Sequence, residues 1–418
     1  MNDNYTGGNL KKDYLWNTIG TSVNSFLSLL LLIVVTRLNG IDAAGLFSFS
    51  FAFALVFFTI GLYGGRIYQV SDVRNEFSSR NYIVLKFVTS AIMLITAAAT
   101  ILINHYDANK GGLMLLLVLY KVSEVIADAL YGVIQKNNKL YLAGISLTLK
   151  GAVGFAAFLV IDLITKNLLL SGASLLFVNL LFMISYDRIN VKRLERVTVR
   201  LDRIREDAAD SLRLMKKCIY IFLFSFLTTA MANIPRFFID IYHESDQGYF
   251  GILIMPATLI ALLVTFIIQP GIVPLSELHK NRQYDRFKKT VGKLTFLSLA
   301  LGVAAIPVAY LIGGPVLTLI YGVDLTPYRL ELAKVVFGGT LNVVAMIYSN
   351  ALVIIRKQFI QLVIYLISLT TITAMCVLLV NPYGISGGIW SYIIANTVQG
   401  ALFIATYHVI LNRIQSPH

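Results

Sequence analysis

From Gln358 to Asn412 the chain carries no charged residue if His408 is neutral. A helix on a water-soluble protein keeps a polar face, so this run does not belong in water. One membrane-crossing helix needs about 20 apolar residues, and the run is long enough for two. The turn signal "NPYG" at 381–384 divides it. Uncharged runs recur at Tyr14–Thr36, Leu46–Gly65, Asn167–Tyr186, Cys218–Pro235, Gln247–Ser276, Leu294–Val323 and Val335–Ile355. Three further apolar stretches, 82–104, 112–135 and 140–162, contain isolated charges. The expectation is an all-α integral membrane protein with about twelve transmembrane helices. Composition agrees: 14% of the residues are charged, against about 25% in soluble domains.

Twelve spans put both termini on one side. That side receives the great majority of the 35 Lys and Arg, including Lys11, Lys12 and the basic stretch 187–217. The positive-inside rule therefore places both termini in the cytoplasm. The net charge of +13 is then a topology signal, and no nucleic-acid partner is expected. The first apolar run is too long for a signal-peptide core and no A-x-A site follows it, so it is expected to stay as the first helix. Cys218 and Cys376 sit in separate spans, and the five histidines are scattered. Neither set suggests a disulfide or a metal, no cofactor is implied, and no catalytic motif is found.

Two junctions share a cadence. "VTRLNGIDAAGLFSFS" at 35–50 and "NIPRFFIDIYHESDQGYFG" at 233–251 each place an arginine and a polar turn between apolar runs. The polar stretch 187–217, "DRINVKRLERVTVRLDRIREDAADSLRLMKK", separates them. Its apolar residues Leu194, Val197, Leu201, Ile204, Ala208, Leu212 and Met215 step by three or four, as in an amphipathic helix. A basic helix of this kind suits an anionic cytoplasmic leaflet. The chain is thus expected to contain an N-terminal lobe at 1–186, a linker at 187–217 and a C-terminal lobe at 218–418. Two six-helix lobes of equal orientation are related by a pseudo-two-fold along the membrane normal, and transporters of that kind bind substrate between the halves.

Lys121, Glu124 and Asp128 are spaced i, i+3, i+7 and share one helix face with Tyr131 and Gln135. A charge at the bilayer centre costs about 2.5–3.5 kcal/mol on insertion scales, so this face is expected to meet a cavity or another helix. Glu124 and Lys150 flank the turn "QKNNKL" at similar depth, which makes them an expected ion pair. Arg66 closes the second span, and Arg37 and Arg236 close the first and seventh. Two readings stay open for these arginines. They are snorkelling anchors, or they join Lys121 and Lys150 as cations placed along a path for an anionic head group, whose phosphate oxygens suit an arginine fork. Glu124, Asp128 and Asp240 are candidates for ion pairing or coupling. Pro235, Pro256, Pro270 and Pro274 fall in or near spans seven and eight, where proline kinks a helix.

Several segments resemble one family in its order along the chain. They are "VVTRLNGIDAAGLFSFSFAFAL", "EVIADALYGVIQKNNKLYLAG", "IPRFFIDIYHESDQGYFGILIMP", "PGIVPLSELHKNRQYDRFKK" and "NPYGISGGIW". Together they are similar to Wzx-type polysaccharide flippases of the multidrug/oligosaccharidyl-lipid/polysaccharide (MOP) exporter superfamily. The resemblance implies a MATE-like fold that alternates between inward- and outward-facing states. It implies an undecaprenyl-diphosphate-linked oligosaccharide as substrate, a bacterial cytoplasmic membrane, and polysaccharide polymerase or assembly proteins as partners. It leaves open whether protons or sodium drive the cycle. Two alternatives remain: a MATE-like exporter of drugs or organic cations, and an integral membrane glycan polymerase or transferase using Asp240, Glu244 and Asp246.

Overall fold

The computed structural model describes residues 7–72, 74–195 and 204–415. Among them every long element is helical. In chain order these are α1 (Gly7–Asn39), α2 (Ile41–Leu62), α3 (Gly65–Ser71), α4 (Ser79–Ile103), α5 (Ala108–Lys136), α6 (Leu140–Thr165), α7 (Leu168–Phe182) and α8 (Arg188–Leu194). There follow α9 (Ile204–Tyr242), α10 (Gln247–Leu253), α11 (Met255–Lys280), α12 (Tyr284–Val308), α13 (Gly314–Tyr321), α14 (Arg329–Ile354) and α15 (Gln358–Gln415). Nine stretches of the described residues are long and apolar enough to cross a membrane. The ninth is two helices, because Gly384 breaks α15 with a φ of 50°, at the end of the "NPYG" signal. With α5 and α11, of 29 and 26 residues, the helical stretches of spanning length number twelve. The protein is a multi-pass membrane protein with an all-α fold.

The chain divides into two compact units. One comprises Met1–Asn39 and Leu46–Thr229, the other Gly40–Gly45 and Ala230–His418. In the first unit α1 lies against α6 along a line of small residues. A Cβ on Gly20 would overlap the Gly144 carbonyl, one on Gly144 would overlap the Trp16 backbone, and one on Gly151 would stand 2.5 Å from a Val23 methyl. Close backbone approach of this kind drives helix association where lipid supplies no hydrophobic force. The centre of the unit is α5, which packs against α3, α4, α6 and α7 and buries Leu113, Leu117, Ala127, Ala129 and Val133. In the second unit α14 takes the same part, packing against α11, α12 and α15.

Residues 204–217 of the linker are the first turns of α9, which continues unbroken through Pro235 to Tyr242. They do not form a separate surface helix. Leu214 and Cys218 are fully buried with Tyr63, Phe77, Tyr82 and Leu85, whereas Leu212 is exposed. Residues 196–203 of the expected amphipathic helix lie outside the described residues. Asp72 shapes the nearby turn into α4. Its carboxylate accepts the backbone N–H groups of Glu76 at 3.0 Å and Phe77 at 3.1 Å, and the Tyr82 hydroxyl at 3.1 Å. Burial opposes its charge, but these donors prevail and hold its carboxyl below the ordinary value.

Two stability predictions follow. Gly144→Ala places a methyl group in the Trp16 backbone and is expected to destabilise the protein by about 1–3 kcal/mol, read as a lower melting temperature in detergent. Gly400→Ala, where nothing lies within 4 Å, is expected to leave it unchanged. The second concerns pH. A carboxylate with a lowered folded-state pKa stabilises above its unfolded value of about 3.9, and that contribution is lost as pH falls through the folded value. Asp72→Asn should therefore melt below the parent at neutral pH, and the gap should close as the pH drops below about 4.

Candidate functional site

The charged stripe of α5 turns into the first unit, and each of its carboxylates meets a cation there. Lys121 Nζ donates to Glu124 Oε2 at 2.8 Å. The same ammonium stands about 5 Å from the rings of Phe51, Phe58 and Tyr120, whose faces favour a cation. Asp128 is shared: Lys86 Nζ lies 2.9 Å from Oδ2, and an Arg66 guanidinium nitrogen lies 3.6 Å from Oδ1. Arg66 also donates to Gln135 Oε1, from Nε at 3.2 Å and from a terminal nitrogen at 3.0 Å. Lys150 on α6 donates to Asp187 Oδ2 at 2.6 Å and to the Tyr131 hydroxyl at 3.0 Å. That hydroxyl is in turn 3.0 Å from Ser146 Oγ.

Local backbone breaks position two of these groups. α2 ends at Leu62, and Tyr63 and Gly64 take left-handed φ values of 46° and 66°. Helix ends leave carbonyls without intrahelical partners. Here α4 supplies them: Lys86 Nζ donates to Leu62 O at 2.6 Å and Thr89 Oγ1 to Gly61 O at 2.7 Å. The chain resumes as α3, with Arg66 in its first turn. The second break follows α7, where residues Met183–Asp187 form a π-helical turn. Turns of that type cluster at functional sites, and this one ends on Asp187, whose side chain is fully buried.

Glu124, Asp128, Arg66, Lys150, Tyr120, Tyr131 and Asn179 line a chamber of about 250 Å³ inside the unit. A second cavity of about 510 Å³ opens on the other side of Arg66 and is lined by Gly64, Gly65, Val70 and Gln135. Arg66, Asp128 and Leu62 border both, so the Arg66–Asp128 pair stands at the partition.

Of the residues read from sequence, the structure brings Arg66, Lys121, Glu124, Asp128 and Lys150 together. Arg37 is exposed in the last turn of α1. Arg236 and Asp240 lie on α9 in the second unit and are both buried. Arg236 Nε makes no hydrogen bond, and among the described residues no ion pair reaches its guanidinium. The backbone carbonyl of Arg236 accepts from Gln247 Nε2 at 2.8 Å. The expected Glu124–Lys150 pair is replaced by two others, Glu124 with Lys121 and Lys150 with Asp187. The cause is the π-helical turn, which carries Asp187 inward from its expected place in the polar linker. Lys86, the isolated charge of the 82–104 stretch, joins this set and is 1% exposed.

No family model matches the chain. The Staphylococcus aureus capsular polysaccharide biosynthesis protein CapF is 22% identical over 409 residues, covering 96% of this chain and 99% of that protein. Among solved structures, the inward-facing conformation of a multidrug resistance MATE family transporter of the MOP superfamily aligns with a TM-score of 0.70 and 13% identity. It covers 96% of this chain and 99% of its own. A Pyrococcus furiosus MOP superfamily transporter, described as having a binding pocket of reverse polarity that suggests a different function, aligns with a TM-score of 0.58 and 16% identity. The match covers 98% of this chain and 96% of that one. At these identities the likeness establishes the fold, which is MATE-like.

The chamber's pairing is open to test. Removing one partner of a buried ion pair strands a charge and costs about 3–5 kcal/mol. Lys150→Ala and Asp187→Ala should each sharply lower the melting temperature, and the double variant should recover much of the loss. Losses from Lys150→Ala and Glu124→Ala should instead be close to additive, since they break different pairs. Recovery in the second cycle rather than the first would reverse the assignment.

Proposed function

We propose that the chain is a flippase. It moves an undecaprenyl-diphosphate-linked oligosaccharide repeat unit outward across a bacterial cytoplasmic membrane, by alternating access, for surface polysaccharide synthesis. The observation that carries this reading is the charge balance around the α5 stripe. There, among the described residues, Arg66, Lys86, Lys121 and Lys150 pair with Glu124, Asp128 and Asp187. Each of these three carboxylates has a cation, and the cluster holds one cation more than carboxylates. An exporter of organic cations needs a free carboxylate in its cavity, whereas a diphosphate needs cations. Arg66 adds the planar fork that matches phosphate oxygens, and it borders both cavities. Arg236, buried and without an ionic partner among the described residues, supports the same preference in the second unit.

The likeness to CapF over nearly the whole of both chains supports a glycan as cargo. The Pyrococcus furiosus transporter, whose binding pocket of reverse polarity suggests a different function, is a precedent for variation of pocket charge within this fold. In this reading Arg66, Lys121 and Lys150 favour the head group inside the first unit and Arg236 does so in the second, with Arg37 at the outer end of the path. Glu124, Asp128 and Asp240 are the groups through which a proton or sodium ion couples to the cycle. Both termini are cytoplasmic, and the product is handed to polymerase and assembly proteins.

Deleting the gene tests the reading directly. Lipid-linked repeat units should accumulate in the cytoplasmic leaflet while sensitivity to cationic drugs stays unchanged. Drug sensitivity without glycan accumulation would make the protein an efflux pump. The arginines give a finer test. A snorkelling anchor needs only a long cationic side chain, but a diphosphate ligand needs the fork. Arg236→Lys is expected at normal protein level with reduced export, and full export would make Arg236 an anchor.

A further inference from the structure

A groove of about 560 Å³ opens in the first unit between α4, α5, the π-helical turn and α8. Its floor is apolar: Ile83, Phe87, Ile126, Leu130, Met183 and Ile184. Phe87 and Ile184 remain more than half exposed, at 52% and 54%. At one end stand Arg188 and Lys192, one helical turn apart and both exposed. Among the described residues neither has an ion-pair partner. Glu195 also borders the groove, and its Oε2 accepts from Ser79 Oγ at 2.9 Å.

We propose that this groove holds one anionic phospholipid of the cytoplasmic leaflet. An acyl chain lies along Phe87 and Ile184, and the phosphate meets Arg188 and Lys192. Three features select this occupant. The lining is hydrocarbon-like over its length and carries its charges at one end, where Arg188 and Lys192 outnumber Glu195, which is the polarity of a single lipid. Arg188 and Lys192 open the basic linker that the Lys and Arg distribution places in the cytoplasm, where anionic lipids give the surface its negative potential. The groove also differs in kind from the inner chamber, whose cations all contact carboxylates, whereas among the described residues Arg188 and Lys192 contact none within ion-pair distance. The proposal rests on the cytoplasmic placement of the linker and is independent of the transported cargo.

The site has a structural consequence. Met183 and Ile184 line the groove, and Asp187, at the other end of the same five-residue turn, holds Lys150 in the chamber. A lipid seated on this turn stabilises the geometry that places Asp187 inside. Anionic lipid is thereby expected to favour the Lys150–Asp187 pair.

The test uses the purified full-length protein in neutral detergent, titrated separately with phosphatidylglycerol, phosphatidylethanolamine and inorganic phosphate. Binding is read by native mass spectrometry and by the melting temperature. Phosphatidylglycerol should bind and raise the melting temperature, phosphatidylethanolamine should do so much less, and inorganic phosphate should do neither. Arg188→Gln with Lys192→Gln should weaken phosphatidylglycerol binding about thirtyfold, from two basic side chains at a membrane surface. Both side chains are exposed, so the melting temperature without lipid should not change. An Ile184→Cys variant should react with a maleimide more slowly once phosphatidylglycerol is added. Equal stabilisation by the two lipids, or unchanged phosphatidylglycerol affinity in the double variant, overturns the proposal. So does an Ile184→Cys thiol already protected without lipid and crosslinking to residues 196–203, which would make the linker the occupant.

Discussion

The carboxylate of Asp128 holds two cations, and the first unit is arranged around that fact. Lys86 reaches it from α4 and Arg66 from the start of α3. Lys86 also accepts the duty of closing α2, because its ammonium donates to the last carbonyl of that helix. Removing Asp128 would leave two cations without a counter-charge in a medium where each is costly. The break in the second span, the depth of Lys86 and the orientation of Arg66 are therefore one structure. It explains why a left-handed Tyr63–Gly64 turn is tolerated at the edge of the membrane: irregular backbone survives there only where protein partners satisfy its freed groups.

The two units solve the problem of polarity in different ways. The first uses ions, in three linked pairs along α5 and α6. The second, among its described residues, buries Arg236 and Asp240 as its only charges and otherwise uses neutral groups. Gln361, Ser349 and Tyr365 form one such set, with Ser349 Oγ and the Tyr365 hydroxyl 3.4 Å apart. Asn342 donates to the Tyr392 hydroxyl at 3.3 Å in another. Ion pairs can be exchanged for bonds to a charged ligand or a coupling ion, because each partner retains a strong demand when the other leaves. Neutral pairs offer no comparable exchange. The exchangeable buried ion pairs among the described residues thus lie in the first unit.

The sequence made the large features legible for simple reasons. A charge-free run exposes a span, "NPYG" marks the break that Gly384 makes, and the i, i+3, i+7 spacing of Lys121, Glu124 and Asp128 defines a face whose two carboxylates line a chamber. The partners on other helices were less legible. Glu124 and Lys150 are equidistant from their turn, so depth alone pairs them, yet depth ignores rotation about each helix axis. Asp187 follows an uncharged run and opens a basic stretch, which is also how an interfacial residue looks. Only the extra residue of a π-helical turn rotates it inward, and no local residue pattern announces that turn. Lys86 was hidden for the opposite reason. It lies near the start of its span, and its partners are the Asp128 carboxylate on another helix and the Leu62 backbone carbonyl, neither of which leaves a trace in the side-chain spacing of α4.

These hidden partners alter what the cationic interior means. Counted from sequence, Lys121 and Lys150 oppose Glu124 and Asp128 and the stripe looks neutral. Around the stripe, Lys86, Arg66 and Asp187 change the balance to four cations and three carboxylates. A positive excess of one is small, but it is held where the dielectric is low and where Coulomb terms decay slowly. Arg66 is the group best able to spend that excess on a ligand. Its contact with Asp128 is the longest of the set at 3.6 Å, and its side chain is the most exposed of the paired cations at 24%. Lys86 keeps Asp128 neutralised at 2.9 Å whether or not Arg66 stays. In the function we propose, the guanidinium can therefore turn from Asp128 to a substrate phosphate without stranding a buried carboxylate.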